Sequence, residues 1–165
     1  MLGILYTPFY YKVVKSGEKW FMFYGEFDHT LDPKGRLIIP SKLREVFKEY
    51  SIEKFVLTRG LDRCLFVFTA EVWKEQEQKF KEMPFTKQES RQFNRLYFSG
   101  ASEAACDKQG RILLPQYLKD YASITDHVMI VGVSDRFEIW SYDRWKAYFD
   151  DSLESFETIA EKIIE

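Results

Sequence analysis

One stretch of this chain is written twice. Gly25-Glu26-Phe27-Asp28-His29-Thr30-Leu31-Asp32-Pro33-Lys34-Gly35-Arg36-Leu37-Ile38-Ile39-Pro40-Ser41-Lys42-Leu43 aligns without a gap on residues 100–118, at a constant offset of 75. Gly, Asp, Gly, Arg, Pro and Leu coincide, and an apolar triplet follows each Arg. Further on, Phe55-Val56-Leu57 matches Val128-Met129-Ile130, and Asp62-Arg63 matches Asp135-Arg136. Leu65–Phe68 matches Phe137–Trp140, and Trp73 matches Trp145. The offset drifts from 75 to 73 to 72, as small deletions in loops would produce. Self-similarity of this length marks a duplicated structural unit and limits the folds to those built from two copies of it.

Each copy has the same order of signals. A strand runs into Asp-x-x-Gly, a second strand follows, Pro opens a short helix, and two more strands and a helix complete the unit. Pro40 and Pro115 suit a first helical turn, where the missing N–H has no partner to lose. Phe55–Leu57 and Leu65–Phe68 are short apolar runs bounded by turn residues, as strands are. Between the copies, residues 86–98 read as a helix, with Phe93, Leu96 and Tyr97 on one face and Thr86 with Glu89 as a capping box. After the second copy, Phe149, Leu153, Phe156, Ala160 and Ile163 recur at helical spacing, which predicts an amphipathic helix with an acidic outer face. That helix packs either on its own domain or on a neighbouring subunit.

The repeated Asp-x-x-Gly-Arg has two separable parts. Asp32-Pro33-Lys34-Gly35 carries the preferences of a type I turn: Asp accepts backbone hydrogen bonds, Pro presets φ, and Gly takes the left-handed position. In a hairpin this becomes a bulge that restores strand twist. Asp107-Lys108-Gln109-Gly110 does the same without Pro. Asp32, Gly35, Asp107 and Gly110 are therefore turn formers. Lys34, Arg36, Lys108 and Arg111 do not follow from the turn. Either each Arg pairs back onto its own Asp, or the hairpin tips offer cations to a partner. A two-stranded ribbon fits the DNA major groove, where Arg reaches a guanine edge and Lys meets phosphate.

The rest of the composition narrows the function. Net charge is −2, so this is not a uniformly basic chain. Residues 150–165 hold six acids and one base, a net of −5, which leaves +3 elsewhere. Cys64 and Cys106 lie in no metal or redox spacing and read as buried free thiols, which suits a reducing cytoplasm. His29 and His127 are the only histidines. No Ser/His/Asp or Cys/His grouping, phosphate loop or zinc spacing is evident, so an enzyme is not expected, nor a metal, cofactor or small-molecule substrate. No apolar run approaches the roughly 20 residues of a membrane span.

Residues 25–44 with the second Asp107-Lys108-Gln109-Gly110-Arg111 resemble the MraZ family, over about Met22 to Phe149. The family consists of bacterial transcription regulators with two AbrB-like units. The resemblance implies an α+β fold of tandem double-split β-α-β swapped-hairpin units, with a pseudo-two-fold axis and a barrel-like core. It also implies ring-shaped homo-oligomers bound to short direct repeats of double-stranded DNA, in the promoter of their own division and cell-wall operon. On this reading the protein is cytoplasmic and nucleoid-associated. The family's Asp and Arg fall on Asp32, Arg36, Asp107 and Arg111. Lys34, Lys42, Arg44 and Lys108 are expected on phosphate, with Arg36 and Arg111 on bases. Gln109 replaces Lys34 in the second copy, which predicts weaker binding there. An antitoxin-like protein-interaction module is the alternative, although common antitoxins of this fold carry one unit per chain.

The expected boundaries are 22–82 and 100–149 for the two units, 83–99 for a helical linker and 150–165 for the acidic helix. Residues 1–21 read as an extension outside the fold. The Gly17-Glu18 codons can spell a purine-rich ribosome-binding site four codons before Met22, which suggests that translation starts at Met22.

Overall fold

The computed structural model describes residues 22–164. The expectation that residues 1–21 are an untranslated leader lies outside the described residues. The first copy forms β1 (Phe23–Thr30), β2 (Arg36–Ile38), α1 (Ser41–Glu49), β3 (Lys54–Arg59), β4 (Leu65–Thr69) and α2 (Ala70–Lys81). After α3 (Gln88–Ser99), the second copy repeats the order as β5 (Ser102–Ala105), β6 (Arg111–Leu113), α4 (Gln116–Ala122), β7 (His127–Ser134), β8 (Arg136–Ser141) and α5 (Tyr142–Glu154). The last element is α6 (Phe156–Ile164).

The strand order reveals how the copies combine. A six-stranded antiparallel sheet runs β1-β7-β8-β4-β3-β5, and β2 pairs with β6 in a separate ribbon. Exchanging each strand for its repeat equivalent turns this order into its own reverse. The two copies are thus related by a pseudo-two-fold that passes between β4 and β8 and through the ribbon. Each copy's first strand pairs in the other copy. β1 runs along β7 from Phe23↔Ser134 to Thr30↔His127, and β5 runs along β3 from Leu57↔Ser102 to Lys54↔Ala105.

Period-two alternation sends successive side chains to opposite sheet faces, and here both faces are covered. Phe55, Leu57, Leu65, Val67, Val128, Ile130, Phe137 and Ile139 face one way. They pack under Leu37, Ile39, Ile112 and Leu114 of the two hairpin arms, and under Leu43, Phe47 and Leu118 of α1 and α4. On the other face Trp73 packs with Val56, Phe68 and Tyr97, while its repeat equivalent Trp145 packs with Met129, Val131 and Trp140. The Trp145 indole N–H also donates to Glu26 Oε1 at 2.6 Å, tying α5 to β1.

Five expectations change in detail. Pro40 and Pro115 precede α1 and α4 by one residue, with extended ψ of 140° and 141°, and their carbonyls accept the first helical N–H groups. The Thr86/Glu89 capping box does not form. α3 starts at Gln88 after Lys87, and the Phe85 and Thr86 carbonyls instead accept from the Arg91 guanidinium. Leu96, expected on the packed face of α3, is exposed. The single C-terminal helix is broken at Ser155 into α5 and α6, and no residue of α6 is buried. Of the thiols, Cys64 is buried and Cys106 only half-buried. Burial, then the nearby Glu138, pushes the Cys64 thiol well up, which leaves it inert as a nucleophile.

Candidate nucleic-acid interface

The two Asp-x-x-Gly-Arg loops are built alike. In each, the Gly N–H donates to the Asp carbonyl at 2.9 Å, and the Asp N–H donates to the Arg carbonyl at 2.9 Å. Asp32 Oδ1 accepts from the Lys34 and Arg36 N–H groups at 2.9 and 3.0 Å, and Asp107 Oδ1 accepts from Gln109 and Arg111 at the same two distances. Gly35 and Gly110 both adopt φ +74°, a left-handed conformation that side-chain-bearing residues rarely take. The predicted turn and bulge are therefore present twice.

Each second carboxylate oxygen then takes its own arginine. Asp32 Oδ2 accepts from Arg36 Nε at 2.6 Å, and Asp107 Oδ2 from Arg111 Nε at 2.8 Å. Both arginines thus pair back onto their aspartates. The backbone N–H of the arginine is the largest influence holding each carboxyl below its usual pKa, with the guanidinium and the neighbouring N–H adding to it.

Pairing does not spend the whole guanidinium. The terminal nitrogens of Arg36 make no hydrogen bond among the described residues. Arg111 is held more fully: its Nη2 donates to Gln109 Oε1 at 2.8 Å, and its Nη1 lies 3.7 Å from Asp32 Oδ2 across the pseudo-two-fold. β2 and β6 bring these groups together, with Arg36 opposite Leu113 and Ile38 opposite Arg111. Leu37 and Ile112 point inward and are buried, so Arg36, Ile38, Arg111 and Leu113 share the outer face of the ribbon. That face is half cationic and half aliphatic.

The other expected cations are spread around this ribbon. Lys34 and Lys108 are exposed in the two loops. Arg44 donates through Nε to the Ile39 carbonyl at 2.9 Å and lies against Gly110 of the other copy. With Lys48 and Lys108 it lines a groove of about 740 Å³ beside the second loop. Lys42 turns toward β1, its Nζ 4.3 Å from the centre of the Tyr24 ring. Two cations were missed by sequence reasoning. Lys119, the repeat equivalent of Arg44, crosses to Gly35 of the first copy, and the offset of 75 was the signal that would have found it. Lys48 had no signal beyond its place on α1.

Among the described residues the histidines form no catalytic grouping with a nucleophile. Asp28 pairs with His127, Nε2 to Oδ1 at 2.6 Å, and not with its neighbour His29. The His127 ring stacks on Tyr142 at 3.9 Å. Burial lowers the His29 pKa against the pull of Asp28. Among the described residues no group of His, Cys, Asp and Glu is placed to hold a metal. No helix there is long and apolar enough to cross a membrane.

Two copies of one strand–turn–strand–helix unit that trade their first strands, and pair their Asp-Arg loops in one ribbon, define a duplicated α+β protein of AbrB-like units. The chain belongs to the MraZ family, described as "MraZ protein, putative antitoxin-like", which matches it twice, at residues 22–96 and 97–165. That description names no enzymatic activity.

Proposed function

We propose that this chain is a sequence-specific DNA-binding transcription regulator that recognises short direct repeats in the promoter of its own division and cell-wall operon. The observation that carries the reading is the ribbon's outer face, where two aspartate-held guanidiniums sit side by side. An aspartate gripping Nε fixes the guanidinium plane and leaves the far edge to form two parallel hydrogen bonds to a guanine. Arg36 fits this role best, because its terminal nitrogens are uncommitted. Ile38 and Leu113 beside it suit thymine methyl groups. Lys34, Lys108 and Arg44, joined by Lys48 and Lys119, surround the ribbon as phosphate contacts, with Lys42 at a further remove on Tyr24.

One ribbon offers few base contacts. The ring-shaped homo-oligomer and barrel-like core that the family resemblance implies belong to this proposal. A ring would line up many ribbons and bind repeated sites by effective concentration. Nucleoid association in the cytoplasm follows from the same reading. The test is a titration on the DNA immediately upstream of the gene with repeat number varied. Affinity should climb steeply with each repeat and fall linearly on a log–log salt plot. Arg36→Ala should keep the fold and lose about 1–3 kcal/mol of discrimination between native and scrambled repeats. Unchanged discrimination would remove the base-reading role.

The family's description favours a second reading, an antitoxin-like module that binds a protein. Co-purification of a toxin encoded next to this gene, with no preference for the upstream DNA, would support that reading over the first.

A further inference from the structure

The last helix of the chain exposes an apolar face. Phe156 is 66% exposed, Ile163 68% and Ile164 84%, and Leu153 before the break at Ser155 is 57% exposed. In the series Phe149, Leu153, Phe156, Ala160 and Ile163, spaced 4, 3, 4 and 3, the first two lie at the end of α5 and the last three on α6, where Phe156, Ala160 and Ile163 form one apolar stripe. Asp150, Asp151, Glu154, Glu157 and Glu161 flank the series, against Lys162 alone. Two such helices side by side would bring like charge together, so a second α6 is a poor partner. A surface both apolar and cationic is a good one.

The chain has such a surface elsewhere. A groove of about 400 Å³ lies between the β3–β4 turn, α3 and α4. Leu61 and Leu96, each 62% exposed, supply its apolar part. Arg59 and Arg63 supply its charge, and neither makes an ion pair among the described residues. The Arg59 guanidinium is fixed by the Leu96 carbonyl and Ser99 Oγ at 2.6 and 3.2 Å, and that of Arg63 lies 5.1 Å from the centre of the Tyr121 ring. Both cations are therefore positioned in advance and, among the described residues, neither has an ion-pair partner, Asp62 beside Arg63 included.

We propose that α6 of one copy of this chain docks on the Arg59/Arg63 groove of the next, with Phe156 and Ile163 against Leu61 and Leu96 and the α6 acids against the two guanidiniums. The contact joins two different surfaces, so each copy keeps one free donor helix and one free groove. Repetition then closes a ring or grows a filament. The contact rests on the homo-oligomer part of the function proposed above, but it needs no DNA.

The experiment uses the full chain and light scattering after size exclusion. Phe156→Asp spoils the helix and Arg63→Asp spoils the groove. Asp tolerates the left-handed backbone of residue 63, where φ is +63°. Leu96→Asp serves as a second groove variant should Arg63→Asp lose the wild-type circular dichroism spectrum. Wild type is expected to be a multimer and each variant a monomer. An equimolar mixture of helix and groove variants should form a dimer and nothing larger, because one intact helix then meets one intact groove. A monomeric wild type, a groove variant that still assembles, or a mixture that stays monomeric would each overturn the proposal. DNA affinity is read separately: a multimer that ignores the upstream repeats sinks the DNA reading and leaves this contact standing.

Discussion

Asp32 and Asp107 each gather three N–H donors, two from the backbone and one from an arginine Nε. Only the charged carboxylate satisfies all three, which is why both pKa values lie below normal. A carboxyl with a depressed folded pKa adds stability at pH above its unfolded value of about 4, and that contribution is lost as pH falls through the lowered value. Asp32→Asn and Asp107→Asn should therefore be less stable than wild type at pH 7, and the gap should close on acidification below about pH 4. Urea midpoints from pH 7 to pH 2 measure it, and a constant gap would show that the charge is not what the loop uses. Gln109 yields a second prediction. Its side chain occupies Arg111 Nη2, whereas Lys34 at the equivalent position leaves Arg36 open. Gln109→Lys should free Arg111 and add a cation, tightening binding to the upstream DNA and steepening the salt slope by about 0.9 for the added phosphate contact. Weaker or unaltered binding with an unchanged slope would argue that the second loop does not touch DNA.

At the scale of elements, the ribbon is what turns two loops into one surface. Leu37 and Ile112 lie directly opposite on β2 and β6, and both are buried at the centre of the core. Leu37→Ala should cost about 2–5 kcal/mol, and Ile112→Ala a similar amount. Because the two are cross-strand partners in one core, the double variant should cost measurably less or more than the summed singles, whereas distant pairs add. Denaturation of the four proteins of that cycle decides it, and strict additivity would mean that the arms are not packed as one unit. Much at this scale was legible in advance. Asp, Gly and φ-setting Pro spelled the turn, and short apolar runs between turn residues spelled β3, β4, β7 and β8. The start of α3 was less legible, because the Arg91 guanidinium meets the Thr86 carbonyl, which a Thr86 cap would have placed in the helix, and the Phe85 carbonyl before it. So was the break between α5 and α6, since the apolar spacing runs straight through Ser155. Periodicity reports which side a residue faces and is blind to a one-residue interruption.

For the whole molecule, the offset of 75 established that two equivalent units exist but could not say which strands pair. A strand and its repeat equivalent present nearly the same pattern, so pairing within a copy and pairing across copies are indistinguishable from periodicity. Topology decides it: β1 belongs to the first copy and its full ladder to β7 of the second, while β5 leans on β3. For the same reason Arg44 and Lys119 each serve the other copy's loop. A unit cut free would therefore lose its edge strand's partner, half the ribbon, and the cation that covers its glycine. Splitting the chain between α2 and α3 tests this directly. Neither half should fold as a monomer: each should be unfolded or pair with itself through the same exchange, the repeat standing in for the missing copy. Mixed halves should regain the circular dichroism spectrum of the intact chain and, if the ribbon is the DNA surface, its affinity for the upstream repeats. A half that is folded, monomeric and cooperative in urea would show that the exchange is dispensable. The two guanidiniums would then be neighbours through the covalent link between the units, and not through the shared fold.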